Sequence, residues 1–379
     1  MKALTTWVER QGLQVVTQPL SIPVPGQQDA YVRTEGLSKL GWRVLRRKLY
    51  LYWTGQYALL HVQANPHWKR GLWIYYRTSQ IGDSLMDLSA RSFFATVGCS
   101  VDLLTSPQLN QLYLNDNWFG KVTADAESID PKDYDFVIVQ SVHYRALKAK
   151  IKLFPKLPWI CVQGFFDVPD FARGLWSAQR FMDLWRCPTA NRNEHGRQKL
   201  SVLNCGKPSL DQDYPLVVVL GGLDPIRTYR KWANVLDQLA SHGVRECVLI
   251  GTGLVAKADA LDIVHRSIPM AIDNLIDQLS LHQCIQLLSR TKLLLAADGG
   301  AMHLGVAAWT NKIVGLFICG IPPELRLPVD YHVHAVVSPT GLINDISVDD
   351  VCQQAIAAGC ISEVKLDGLQ LTPNGGLDA

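Results

Sequence analysis

The sequence predicts an α/β protein made of two units of similar design. From Gly71 onward, short apolar runs alternate with stretches of helical spacing, the pattern of a parallel sheet covered by helices on both faces. The alternation stops in a polar, aperiodic stretch from Asp183 to Leu210 and then restarts. In both halves glycine turns follow apolar runs directly. In doubly wound sheets those strand ends are where ligands bind.

The elements follow in order. Met1 to Lys69 does not join the alternation, and Pro19 to Pro25 is proline-punctuated and reads as extended or loop-like. Leu40 to Val62 interleaves Trp42, Arg43, Arg46, Arg47, Lys48, Tyr50, Tyr52, Trp53 and Tyr57 with leucines. A basic, aromatic helix of this kind can lie on an anionic membrane surface or pack on the main body with its arginines in water. Strands are expected at Leu72 to Tyr76, Val101 to Leu104, Phe136 to Val139 and Trp159 to Val162. Helices are expected at Ser84 to Thr96, up to Leu112, and at Tyr144 to Ile151. In the second half, strands are expected at Leu216 to Leu220, Cys247 to Ile250, Lys292 to Ala297 and Ile313 to Ile318. Helices there cover Tyr229 to Ala240, Leu281 to Leu288, Ala301 to Trp309 and Val348 to Ala358. The expected division is an N-terminal extension over 1–70, a first unit over 71–190, a linker over 191–212, a second unit over 213–360 and a tail over 361–379.

Composition excludes several classes. A hydrophobic share of 48% supports a real core rather than a disordered chain. A net charge of +3 is too small to argue for a nucleic-acid partner. The nine cysteines are scattered with no CxxC pair, which argues against a zinc ribbon, an iron–sulfur site or a disulfide framework and fits a reducing compartment. Met1 to Gln18 lacks a continuous apolar core and no run is long enough to span a bilayer, so a cytoplasmic location is expected, with any membrane contact peripheral and at 40–62.

Candidate site residues cluster at the turns. Asp298-Gly299-Gly300 separates a strand from a helix, and free N–H groups at such a helix start suit a phosphate. Asp298 and His303 flank that turn, as a ligand pair or as a capping acid and a surface histidine. In the first unit Arg77 to Asp83 (RTSQIGD) follows a strand and opens a helix. Asp83 there can accept a proton from a hydroxyl or simply cap the helix, and Gly82 lets a backbone or ligand come close. Arg227, Arg230 and Lys231 follow Gly221-Gly222 and could offset a diphosphate or sit in water. Asn274 to Gln278 leads into the Leu281 helix, with Asp277 or Ser280 as its cap. No GxSxG, Walker A or early GxGxxG motif occurs, and no DxD-like acidic pair stands at a strand end, so the sequence requires no bound metal.

Together RTSQIGDSLMDLSA and NLIDQLSLHQCIQLLSRTKLLLAADGGAMHLGVAAWTNKIVGLF resemble the family 9 glycosyltransferases, the lipopolysaccharide heptosyltransferases. The resemblance runs from about Gly71 to about Pro339. It implies a GT-B fold, two Rossmann-like domains facing a cleft, with the first unit as acceptor domain and the second as nucleotide-sugar domain. It implies an inverting, metal-independent transfer with no cofactor beyond the nucleotide-diphosphate sugar, ADP-heptose being expected, to a lipopolysaccharide core or related bacterial surface glycan. On that resemblance Asp83 is the general base, and Arg227, Asp298, Gly299, Gly300 and His303 bind the donor, with Arg77, Gly82 and Asn274 as further candidates. The chain departs from the family pattern in having Gly299 for a Ser or Thr, and Leu254 rather than an acid after the Gly251-Thr252-Gly253 turn. A transferase acting on a protein acceptor and a degenerate binding protein of a glycan locus are the alternatives. The expected location is the cytoplasm, peripheral at the inner face of the bacterial inner membrane.

Overall fold

The computed structural model describes residues 20–26, 37–75, 80–141, 144–164, 171–201, 214–328, 331 and 333–359. The first unit holds strands β1 (Arg70–Tyr75), β2 (Ser100–Thr105), β3 (Val122–Thr123), β4 (Phe136–Val139) and β5 (Trp159–Cys161) in the order β3-β2-β1-β4-β5, all parallel. The second holds β6 (Tyr214–Leu220), β7 (Glu246–Gly251), β8 (Ala271–Asn274), β9 (Thr291–Ala297), β10 (Lys312–Phe317) and β11 (Val333–Val337) in the order β11-β10-β9-β6-β7-β8, again all parallel. Both orders reverse direction once, between β1 and β4 and between β6 and β9. A doubly wound sheet opens a crevice at that switch point. Central strands such as Phe136–Val139 are buried at every residue, which is why they read as unbroken apolar runs rather than as alternations.

The described residues before Arg70 pack onto the first unit. Helix α1 (Leu37–Trp53) inserts the fully buried Leu51 among Leu72, Ile74, Val137, Val139 and Trp159. Beyond it, Leu60 forms a parallel bridge to Trp159. The His61 N–H donates to the Trp159 carbonyl at 2.8 Å, and the Trp159 N–H donates to Leu59 at 2.9 Å. Leu20 and Val24 join the buried cluster that also holds Trp73 and Phe181.

Two sequence expectations are corrected. The continuous helix over Ser84 to Thr96 is instead α2 (Ile81–Asp87), a 3-10 turn (Ser89–Ser92) and α3 (Phe93–Thr96). In that 3-10 turn the Leu88 carbonyl accepts the Arg91 N–H at 3.2 Å and also the fully buried Arg91 guanidinium at 3.0 Å, which pairs with Asp116 at 2.6 Å. The polar stretch from Asp183 is not all connector. Asp183, Leu184 and Trp185 end α6 (Arg173–Trp185), and α7 (Arg192–Gly196) lies against it. Buried Arg173, Ser177, Gln179 and Arg180 blur the apolar period of α6. A β-carbon on Gly174 would meet the Gly196 carbonyl, so the two helices approach backbone to backbone.

The remaining elements are α4 (Pro107–Tyr113), α5 (Tyr144–Leu153), α8 (Trp232–Ser241), α9 (Gly253–His265), α10 (Leu281–Ser289), α11 (Gly300–Ala307) and α12 (Val348–Ala357). Ser280 caps α10 through a reciprocal capping box with Gln283, which settles the choice left open between Asp277 and Ser280.

Candidate active site

Each switch point delivers one of the acids singled out in the sequence. Asp83 follows β1 and Asp298 follows β9. Helices α2 and α11 start opposite one another across the gap between the units. A β-carbon on Gly300 would lie 3.6 Å from Ile81 Cβ and 3.9 Å from the Gly82 nitrogen. One on Gly82 would come within 2.7 Å of the His303 ring, so only a glycine permits this approach.

Asp83 lies inside the first turn of α2, not at its cap. The cap position is Gln80, which makes no side-chain capping bond. Asp83 Oδ1 accepts from Arg173 Nη1 at 2.7 Å, and its side chain keeps 30% exposure. Among the described residues Oδ2 has no hydrogen bond, so one oxygen is fixed and the other is available. Arg173 also donates from Nε to Asp87 Oδ1 at 2.7 Å, and Asp87 receives further bonds from the Tyr75 hydroxyl at 2.8 Å and Gln163 Nε2 at 2.6 Å. Burial pushes the Asp87 carboxyl above its ordinary pKa despite Arg173. Burial also opposes the Arg173 charge, but Asp87 and Asp83 outweigh it and raise the guanidinium pKa.

Across the gap Asp298 is 3% exposed. Its Oδ2 faces Arg227 Nη1 at 3.4 Å and its Oδ1 faces His303 Nε2 at 3.4 Å. Burial works to raise the carboxyl pKa, but His303, Arg326 and Arg227 outweigh it and hold the value below the ordinary one. His303 Nδ1 pairs with Gln198 Oε1 at 2.8 Å. Both ring nitrogens therefore face protein groups, and the side chain is buried. The alternative of His303 as a surface residue is overturned, because the Gly82 backbone covers its ring.

Arg326 was not singled out in the sequence. It is 5% exposed, its Nε has no hydrogen-bond partner, and it makes no ion pair among the described residues. Burial lowers its pKa, with Asp298 and Asp83 opposing and Arg227 and Arg173 assisting. The guanidinium thus stands within electrostatic reach of both units' acids. Arg227 likewise leaves its Nε unpartnered. An anion between these two guanidinium groups would supply what each lacks.

The other candidates divide. Gly299 is the α11 cap in extended conformation, and a β-carbon there would meet nothing nearer than the Ala297 carbonyl at 3.6 Å, so a hydroxyl-bearing side chain fits. Arg230 pairs with Asp259 at 2.6 Å and Lys231 donates to the Ile346 carbonyl at 3.1 Å, so both are engaged away from the Asp298 cluster. Asn274 ends β8, and its Oδ1 accepts from the Ile276 N–H at 3.2 Å within the turn before α10. Arg77 lies outside the described residues. An acid does reach the Gly251-Thr252-Gly253 turn from a later segment. Asp277 accepts from the Gly253 N–H at 3.0 Å and pairs with Lys257 at 2.9 Å at the start of α9. Leu223 and Leu254 stand exposed three residues beyond the paired strand ends Leu220 and Gly251. Among the described residues no group of three or more His, Cys, Asp or Glu could hold a metal ion.

Two doubly wound sheets with their switch points opposed define the GT-B fold. Residues 227–345, within the second unit, match the model of glycosyltransferase family 9 (heptosyltransferase). The solved structures similar to this chain include a family 9 glycosyl transferase from Veillonella parvula, at 14% identity over 76% of this chain and 97% of that one, TM-score 0.59. The ADP-heptose lipopolysaccharide heptosyltransferase II of E. coli is 18% identical over 76% and 98%, TM-score 0.57. An E. coli heptosyltransferase solved with ADP is 15% identical over 76% and 99%, TM-score 0.57. No curated protein sequence matches the chain.

Proposed function

We propose that this chain is an inverting, metal-independent transferase that moves heptose from ADP-heptose to a lipopolysaccharide core or related bacterial surface glycan. The observation that carries the reading is the convergence of Asp83 from β1 with the Arg227–Asp298–Arg326 group from the second unit across the α2–α11 contact. In the proposed step the acceptor oxygen attacks the anomeric carbon while Asp83 Oδ2 takes its proton. The bond from that carbon to the diphosphate breaks, and the leaving group departs with the electron pair. Arg227, Arg326 and the N–H groups opening α11 offset its charge, the role a metal plays elsewhere. Arg173 is a positioning residue that holds the Asp83 carboxylate by one oxygen.

The adenine and heptose assignments draw support from one similar E. coli heptosyltransferase, solved both with ADP and with ADP-2-deoxy-2-fluoro heptose. Exposed Leu223 and Leu254 offer apolar surface for a base, and Asp277 offers an acceptor for ribose hydroxyls. No helix among the described residues is long and apolar enough to cross a membrane. The scattered cysteines with no CxxC pair fit the cytoplasmic location included in this reading.

The test pairs Asp83→Asn with nucleotide-induced thermal shifts. Transfer should fall by roughly 10²–10⁴-fold, the usual contribution of a positioned base, while the shift given by ADP stays as in the parent. Retained transfer would remove Asp83 as the base. A shift with UDP or GDP but not ADP would keep the reaction class and discard the donor.

A further inference from the structure

Helix α1 carries a second surface that the transfer reaction does not use. Leu45, Leu49, Tyr52 and Trp53 are exposed at 47%, 40%, 76% and 77%. At about 100° per residue these four fall within an arc of about 100° on the helix. Arg47 and Leu51 lie on the opposite side and are buried against the first unit. The exposed apolar arc is therefore not an accident of a loosely docked helix, since the helix already has an inner face. Arg46 sits about 20° beyond one edge of the arc and Lys48 about 40° beyond the other. Beyond the helix, Tyr57 and Val62 are exposed at 53% and 47%.

Charge selects the occupant. From Leu37 to Val62 the chain contains Lys39, Arg43, Arg46, Arg47 and Lys48 and no acidic residue, although the whole protein is nearly balanced. An apolar stripe edged by cations matches an anionic lipid surface. The leucine and aromatic side chains enter the boundary between headgroups and acyl chains, and the long basic side chains reach back to the headgroups. Tyr52 and Trp53 suit that depth, having an apolar body and a polar tip.

We infer that α1 is an interfacial membrane-docking helix that holds the first unit on an anionic bilayer. The inference does not rest on the donor or acceptor proposed above, because the docking face is on the far side of α1 from the sheet and needs no nucleotide.

The test is co-sedimentation of the full chain with vesicles of phosphatidylcholine alone and of phosphatidylcholine doped with phosphatidylglycerol. Binding is expected to the doped vesicles, weakening as salt screens the headgroup charge. Arg46→Glu should lower that binding roughly fivefold or more, as the loss of one surface cation does. Leu49→Asp and Trp53→Asp should abolish it. Leu49 and Trp53 are on the outer side, so those two variants should melt with the parent, which separates lost docking from lost folding. Absence of binding to either vesicle would overturn the inference. So would equal binding by Trp53→Asp and the parent, or a parent that is a dimer and a Trp53→Asp variant that is a monomer, which would assign the face to a second copy of the chain.

Discussion

Gly82 and His303 meet across the gap between the two units, with room for a hydrogen but not for a methyl group. A β-carbon at Gly82 would stand 2.7 Å from Cδ2 of a ring already held by Gln198 and facing Asp298. The contact couples the first turn of the helix bearing Asp83 to the turn bearing Asp298.

Gly82→Ala should therefore cost about 1–3 kcal/mol, the usual penalty for overpacking, and should reduce transfer more than nucleotide binding. Gly299→Ser is the contrasting substitution. Nothing approaches its β-carbon within 3.6 Å, and a serine there can cap α11. A gain of a few tenths of a kcal/mol in stability is expected from replacing a glycine cap by serine. Urea midpoints of the two variants beside the parent check both.

Arg173 and Asp83 should respond unequally to substitution. Arg173→Met leaves Asp87, whose side chain is 3% exposed, as a buried carboxylate with only Tyr75 and Gln163 as partners. Breaking a buried pair from one side costs about 3–5 kcal/mol. Asp83 is partly solvated, so Asp83→Asn should cost under about 1 kcal/mol. The sign with pH is testable as well. Asp87 already has a folded pKa above its ordinary value, chiefly from burial. A raised carboxyl destabilises the folded state at high pH and is relieved as pH falls toward its folded value. The deficit of Arg173→Met should therefore shrink on acidification from neutrality.

The contrast between these residues shows what the sequence could disclose. Asp83, Arg227, Asp298 and His303 were legible because each sits in or beside a turn after a strand, and that succession of apolar run, glycine and helix is local. Asp87 and Arg173 are 86 residues apart, and Gln198 and His303 are 105 apart. No spacing rule joins such pairs. Arg326 lies after β10 among prolines and carries no periodic signal. The strands β8 and β11 escaped because both are largely exposed, with few buried apolar residues. The contact of Asp277 with the Gly253 N–H was hidden in the same way, since Asp277 comes from a later turn.

Lys150 makes the docking of the N-terminal segment sensitive to alkaline pH. It is fully buried, donates to Gln56 Oε1 and to the Leu157 carbonyl, and burial lowers its pKa to about 8 from 10.5. A lysine whose folded pKa lies below its unfolded one penalises the folded state fully below about pH 8. Between about pH 8 and 10.5 the unfolded chain holds the extra proton, so stability rises with pH there, by up to ~1.4 kcal/mol per unit. Chemical unfolding at stepped pH should show that slope in the parent and its loss in Lys150→Met.

Arg326 gives the sharpest separation of binding from folding. A residue that is 5% exposed, with a buried unpartnered Nε and no ion pair among the described residues, costs the free protein stability, because hydration of its charge is lost and not fully replaced. Arg326→Met keeps the length of the side chain and removes the charge. The unliganded variant should melt at the parent's temperature or above it, as apolar replacements of buried charges often do. If the vacant Nε and the neighbouring Arg227 receive a diphosphate, the variant loses charge-assisted bonds worth about 1.5–3 kcal/mol, so its affinity for ADP should fall roughly 10–100-fold. A structural role predicts the reverse pattern, a lower melting temperature with ADP affinity intact. Melting curves with and without ADP, backed by titration calorimetry, distinguish the two.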